Sequence, residues 1–369
     1  MADIPQSDCL EHCLHPRDAV RLVGHERAEK RLFDAYTSGK MPHAWILSGK
    51  PGIGKATLAY RLARFVFKNP DFSRINTTGA SLHIAPEDPV FHRVSAQAHA
   101  DLLIMRRAFN IKRGKLFTEI RAEDVRKSSR FFATTSGEGG WRICIVDTAD
   151  EMNLTAANAL LKILEEPPKR ALFLLVSNAP HRLLPTIRSR CCNLAMTPLT
   201  GSEVRDVFES RIGEDERPSE SDMAILTKLA QGSAGRALKL ATSDGARIYR
   251  DIHGIMNALP ELDLPGAHKL ADDLTGRPRA AQFDLFFDLL EDWIASMVRL
   301  GLGQGGDEIL EGEGAIMQRL ARPDALAHWS ALWEKTYQSL AQARALNLDR
   351  KQLVLDTLFS LEETARKPV

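Results

Sequence analysis

Residues 44–67 read AWILSGKPGIGKATLAYRLARFVF. An apolar run (44–47) leads into a glycine-rich loop, and the loop leads into an amphipathic segment. Strand, loop, helix is the context in which Gly49-x-x-x-x-Gly54-Lys55 counts as a phosphate-binding loop. Glycines let the backbone curl so that successive N–H groups point inward at phosphate oxygens, the helix adds its positive end, and Lys55 reaches the outer phosphates. One part is missing. The residue after the lysine should carry the hydroxyl that ligates Mg²⁺, and here it is Ala56. Thr57 stands next door but about 100° further round the helix axis, so it is no simple replacement. Gly49, Gly52, Gly54, Lys55 and Thr57 are the candidate nucleotide-binding residues.

Working outward, the first 200 or so residues alternate strand-like segments (44–48, 101–105, 141–147, 171–177, 192–196) with amphipathic ones (25–37, 55–67, 122–134, 154–165), which predicts a parallel α/β domain. The run WRICIVD (141–147) is apolar enough for a strand buried on both faces, and SGEGG (136–140) before it is a break. Segment 68–100 is polar and proline-punctuated, an insertion with some helix. After 200 the strands stop. Helices over 202–212, 219–231 and 235–242 make a small three-helix unit. A less regular bridge carrying Pro260, Pro265 and Pro278 then leads to helices near 280–300, 312–321, 323–345 and 349–365. The apolar stripe of 280–300 is wide enough to be buried in its own bundle or at a subunit interface. The predicted architecture is an α/β P-loop domain (1–198), a three-helix lid (199–245) and an all-helical C-terminal domain (246–369).

Composition sets bounds. With 369 residues, 44% apolar and 26% charged, the chain is ordinary globular material, and a net charge of +1 argues against a surface that grips nucleic acid throughout. No export signal and no 18-residue apolar stretch is visible, and five cysteines (9, 13, 144, 191, 192) are an odd number. A reduced, cytoplasmic protein is expected.

RICIVD ends in Asp147, placed to orient a Mg²⁺ shell at the end of a buried strand. The position after it, where a water-polarising glutamate is usual in related ring ATPases, is Thr148, whose hydroxyl is no base near neutral pH. Asp150 and Glu151 read as solvated acids at a helix start. Loss of both the Mg²⁺ hydroxyl and the carboxylate suggests a relaxed need for hydrolysis.

Three further stretches carry a resemblance: LVGHERAEKRLFDAYTSGKMPHAWILSG (22–49), NALLKILEEPPKRALFLLVSN (158–178) and LLPTIRSRC (183–191). Together they resemble bacterial DNA polymerase III clamp-loader subunits of the AAA+ class, and within that class the delta-prime subunits, over about residues 20–245. The C-terminal helices are similar only in size and character. The resemblance implies a non-motor subunit that caps one end of an arc. Its partners are gamma/tau and delta subunits, and the arc places a sliding clamp on primed DNA. Ser189-Arg190-Cys191 matches the family's Ser-Arg-Cys motif, so Arg190 is the expected arginine finger, acting in trans on a neighbour's nucleotide. The chain belongs to a DNA-directed DNA polymerase holoenzyme on this reading, without any polymerase active site of its own.

Departures from the family matter as much. The zinc module common in the insertion is absent, because 71–105 contains no cysteine, and His83, His92 and His99 lack ligand spacing. No metal site is expected there, and Cys9, His12, Cys13 and His15 read as a flexible tail. Arg236 falls one place beyond the second sensor position, where Gly235 stands, and Ser177 and Asn178 occupy the first sensor region. The basic cluster Arg106, Arg107, Lys112, Arg113 and Lys115 reads as a solvated hairpin-like loop or a phosphate contact. Whether ATP binds stays open: the glycines and Lys55 favour it, and Ala56 counts against it. The rival reading is an active gamma/tau-like motor ATPase.

Overall fold

A computed structural model describes residues 6–9, 14–75, 81–134, 136–137, 140–213, 217–276, 280–346 and 348–367. Its first unit, Met1–Arg217 with Ala230–Leu238, is built on five parallel strands: β1 (Ala44–Ser48), β2 (Leu102–Met105), β3 (Arg142–Val146), β4 (Ala171–Ser177) and β5 (Cys192–Ala195). Their spatial order is β2-β3-β4-β1-β5.

Period-two alternation sorts the strand residues into two cores. Trp45, Leu47, Ile143, Ile145, Leu172, Leu174 and Val176 face one way, onto Leu32, Phe33 and Tyr36 of the helix Glu26–Thr37 and Leu58, Leu62 and Val66 of the helix Lys55–Lys68. Ala44, Ile46, Cys144, Val146, Phe173 and Leu175 face the other way. They meet Val125 and Phe132 of the helix Ala122–Ala133 and Leu160 and Leu164 of the helix Leu154–Glu165. Burial on both faces explains the unbroken apolar runs. This is the α/β P-loop architecture expected.

The insertion holds a helix at Pro89–Ser95, with Asp88 accepting a bond from Val90 N. After β2 the basic cluster forms a two-stranded ribbon, Phe109–Asn110 against Lys115–Leu116. Asn110 Oδ1 accepts from Lys112 N and Arg113 N at its tip, and Gly114 takes φ +61° there.

The second unit, Pro218–Leu229 with Lys239–Val369, is helical. At its centre lies the helix Ala280–Gly301, from which Phe283, Phe286, Phe287, Leu290, Trp293, Ile294 and Met297 are all buried. They pack among Trp329, Leu332, Val354, Leu358 and Leu361 of the same unit, so the wide apolar stripe is covered within its own bundle. The proline-bearing bridge is a correction to the sequence reading. Helices Gly245–Ala258 and Leu264–Thr275 occupy it. Pro265 sits in the first turn of the second helix, where its missing N–H costs nothing, so this proline starts a helix and does not break one. Pro278 lies outside the described residues. Among the described residues no helix is long and apolar enough to cross a membrane.

Candidate nucleotide pocket

The carboxyl ends of β1, β3 and β4 converge, as they must when neighbouring parallel strands share a direction, and that edge is where ligands gather in open α/β sheets. From β1 the chain turns through Gly49, Gly52 (φ +75°) and Gly54 (φ +108°) before Lys55 opens its helix. Three contacts hold this loop. His25 Nε2 lies 2.6 Å from Ile53 O. Ser233 Oγ donates to Pro51 O at 2.8 Å, and Gly235 N donates to Gly52 O at 2.9 Å. A side chain at Gly49 would strike Met196 O at 2.6 Å, and one at Gly52 would strike Ser233 Oγ at 2.4 Å. Both glycines are therefore demanded by close approach.

The loop borders a cavity of about 250 Å³ lined by Gly52, Gly54, Lys55, Ala56, Thr57 and Asp147, among others. The candidates thus come together, except Gly49, which shapes the loop from behind. Lys55 is buried, and its ammonium donates to Gly49 O at 2.7 Å and Lys50 O at 2.5 Å. Burial lowers it to about 8, with Asp147 and Asp150 pulling it back up. For Asp147 burial works the other way. It pushes the carboxyl up to about 7, and the Asp8 charge adds to the rise, while the Thr148 hydroxyl, donating at 3.1 Å, draws it down. Thr148 itself sits at φ +53°, a left-handed conformation that costs a β-branched residue about 1–2 kcal/mol.

A pH prediction follows from Asp147. Its folded pKa lies above the unfolded value of 3.8, so between pH ~4 and ~7 the native state binds the extra proton and stability falls as pH rises. Asp147→Asn cannot ionise. It should match wild type in thermal melts near pH 4 and exceed it by up to about 4 kcal/mol at pH 8, at ~1.4 kcal/mol per unit over the rise from 3.8 to about 7. A gap between the two proteins that stays constant with pH would refute this.

Other expectations resolve less simply. Asn178 lines the cavity, and its N–H donates to Asp150 Oδ1 at 2.8 Å, while Ser177 is fully buried. Glu151 meets Arg107 Nε at 2.7 Å. The two acids are therefore tied to neighbours, not freely solvated. Gly235 lines the cavity and Arg236 does not. Arg190 also lies off the cavity's lining. Its side chain, 36% exposed, reaches Glu165 Oε1 at 2.8 Å and Thr186 O at 3.0 Å. Cys191 and Cys192 are free thiols. His99 stacks on Phe67 with ring centroids 3.8 Å apart. Among the described residues no three His, Cys, Asp or Glu side chains gather as a metal-holding group; His12 and Cys13 lie outside those residues.

Sequence reasoning missed three contributors: His25, Ser233 and Asp8. Only His25 had a local signal, its position in VGHE just before the first helix. Asp8 lines the same cavity from the N-terminal segment.

A family model and three related proteins bear on this arrangement. A family model described as DNA polymerase III, delta subunit, matches residues 24–200. The chain is 32% identical over 263 residues to the DNA polymerase III subunit delta-prime of Pseudomonas aeruginosa, which covers 70% of this chain and 73% of that one. To the delta-prime subunit of Bacillus subtilis it is 29% identical over 224 residues, 59% of each chain. It is 25% identical over 252 residues to the tau subunit of Escherichia coli, covering 67% of this chain and 36% of that one.

Proposed function

The chain belongs to the delta-prime subunit family of DNA polymerase III, and from that premise we propose that it is the non-motor end subunit of a cytoplasmic clamp loader. In this role it joins gamma/tau and delta subunits, helps place a sliding clamp on primed DNA, and lends Arg190 to a neighbouring subunit's nucleotide. The observation that carries this reading is one of separation. The pocket lacks the Mg²⁺ hydroxyl at Ala56 and the carboxylate at Thr148, while Arg190 stands away from that pocket and in contact with solvent. A chain with a weakened site of its own and an accessible guanidinium is suited to act on a nucleotide held elsewhere. Lys55, Gly52, Gly54 and Asp147 would hold any nucleotide that this chain binds itself.

The test is ATP turnover by the purified chain, alone and then with gamma and delta subunits. Turnover is expected to be negligible alone and to rise strongly in the mixture. Robust turnover by the isolated chain would favour the rival reading, a motor in its own right, for which the retained Lys55 and Asp147 are the support.

A further inference from the structure

Asp8 is a buried acid in a place where a triphosphate pocket has no use for one. Its side chain is 1% exposed. Arg106 donates to both carboxylate oxygens at 2.6 and 2.8 Å, Tyr60 OH donates at 3.2 Å, and His15 Nε2 lies 3.1 Å away. Burial alone would raise this carboxyl, but His15 and Arg106 outweigh burial and hold it down at about 2, so it is an anion at every working pH.

Its neighbours fix which side of the cavity it occupies. Tyr60 follows Ala56 by four residues on one helix, so the two share a face, one turn apart. Ala56 marks the position of the absent Mg²⁺ hydroxyl. Arg106 is the first residue after β2 and Asp147 the first after β3, two strands paired in the sheet. Asp8 therefore lines the same cavity as Asp147, whose carboxyl its charge pushes up, on the side of the missing metal hydroxyl. The loop N–H groups cradle the inner phosphates, and Lys55 reaches towards the outer ones. Asp8 lines the cavity and its partner Arg106 does not, so the carboxylate is the member of the pair that faces and repels an added phosphate, and without the Ala56 hydroxyl the cation that would screen it is poorly held.

We propose that Asp8 makes this pocket select a nucleoside diphosphate over a triphosphate. The proposal rests on reading the loop as a phosphate site and is independent of the role of Arg190.

The test uses the full chain and titrates ADP and ATP, each with Mg²⁺ and with a chelator, by calorimetry. Wild type should bind ADP at least about tenfold more tightly than ATP. Asp8→Asn should tighten ATP by about fivefold or more and change ADP less than about twofold. Because Asp8 also anchors its segment, a chain lacking residues 1–9 is measured alongside, with circular dichroism to verify folding, and the same relative gain for ATP is expected. Equal binding of the two nucleotides by wild type, or an unchanged preference in both variants, would overturn the role of Asp8 while leaving the phosphate pocket standing. No binding of either nucleotide to any of the three proteins would overturn the pocket and the proposal together.

Discussion

Replacing Arg190 by alanine is expected to lower hydrolysis at the neighbouring site proposed for it by about 10³-fold or more, and total ATP turnover of the reconstituted loader by that site's share. The chain should still fold and assemble. The expectation comes from how the side chain is held. Its guanidinium meets Glu165 at 2.8 Å and Thr186 O at 3.0 Å, and both are at the surface. An exposed pair of this kind contributes about 0–1 kcal/mol, so exchanging Glu165 for phosphate oxygens costs little, and losing the arginine hardly destabilises the chain. The gain on the other side is large, because charge developing on a transferring phosphoryl group is stabilised in a site that excludes water. Arg190→Lys keeps the charge but loses the planar fork, and should recover only a small part of the activity. Glu165→Ala separates the two roles: it frees the arginine and should leave turnover at or above wild type. Steady-state turnover of the four assembled complexes, with a melt of each subunit, decides the matter. Unchanged turnover with Arg190→Ala would remove the trans role from this residue.

The difference between what was legible in the sequence and what was not is physical. Strands such as ALFLLVS (171–177) are buried on both faces, and their composition alone announces it. The P-loop was legible because backbone curvature and phosphate charge require Gly and Lys at fixed spacing over seven residues. The partners of that loop were not, since Ser233 and Gly235 reach Pro51 and Gly52 across some 180 residues, through hydrogen bonds that leave no pattern in either segment. Asp8 is hidden for the same reason: its three partners, His15, Tyr60 and Arg106, come from the N-terminal segment, a helix and a strand end. The helices Gly245–Ala258 and Leu264–Thr275 were misread because prolines were taken as breaks, although Pro265 stands in a first turn, where proline is at home. In Gly245–Ala258 the spacing of Ile248, Tyr249, Ile252 and Met256 was a helix signal that outweighed the loop-like flanks.

Gly52→Val should destabilise the P-loop unit by about 3–5 kcal/mol and abolish nucleotide binding, whereas Gly114→Ala should cost only about 1 kcal/mol. The two glycines make a controlled pair. Both lie at positive φ, +75° and +61°, so both resist a side chain for the same backbone reason. At Gly114 nothing stands within 4 Å of an added Cβ, and the backbone term is the whole cost. At Gly52 an added Cβ falls 2.4 Å from Ser233 Oγ and 3.0 Å from Gly235 Cα. The serine hydroxyl could turn away, but the backbone of Gly235 cannot yield without moving the helix Ala234–Thr242 from the loop. Even a shift of a few tenths of an ångström weakens the bonds from Ser233 Oγ to Pro51 O and from Gly235 N to Gly52 O, at up to about 1 kcal/mol each. Valine adds the crowding of a branched side chain in a left-handed turn. For a unit of this size the sum corresponds to a fall of about 10 °C in Tm. Ser233→Ala in the Gly52→Ala background should recover part of the loss by removing the nearer clashing atom, a non-additivity that only contacting residues show. Equal costs of alanine at positions 52 and 114 would mean that the loop does not lean on this helix, and the latch from Ser233 and Gly235 would have no energetic weight.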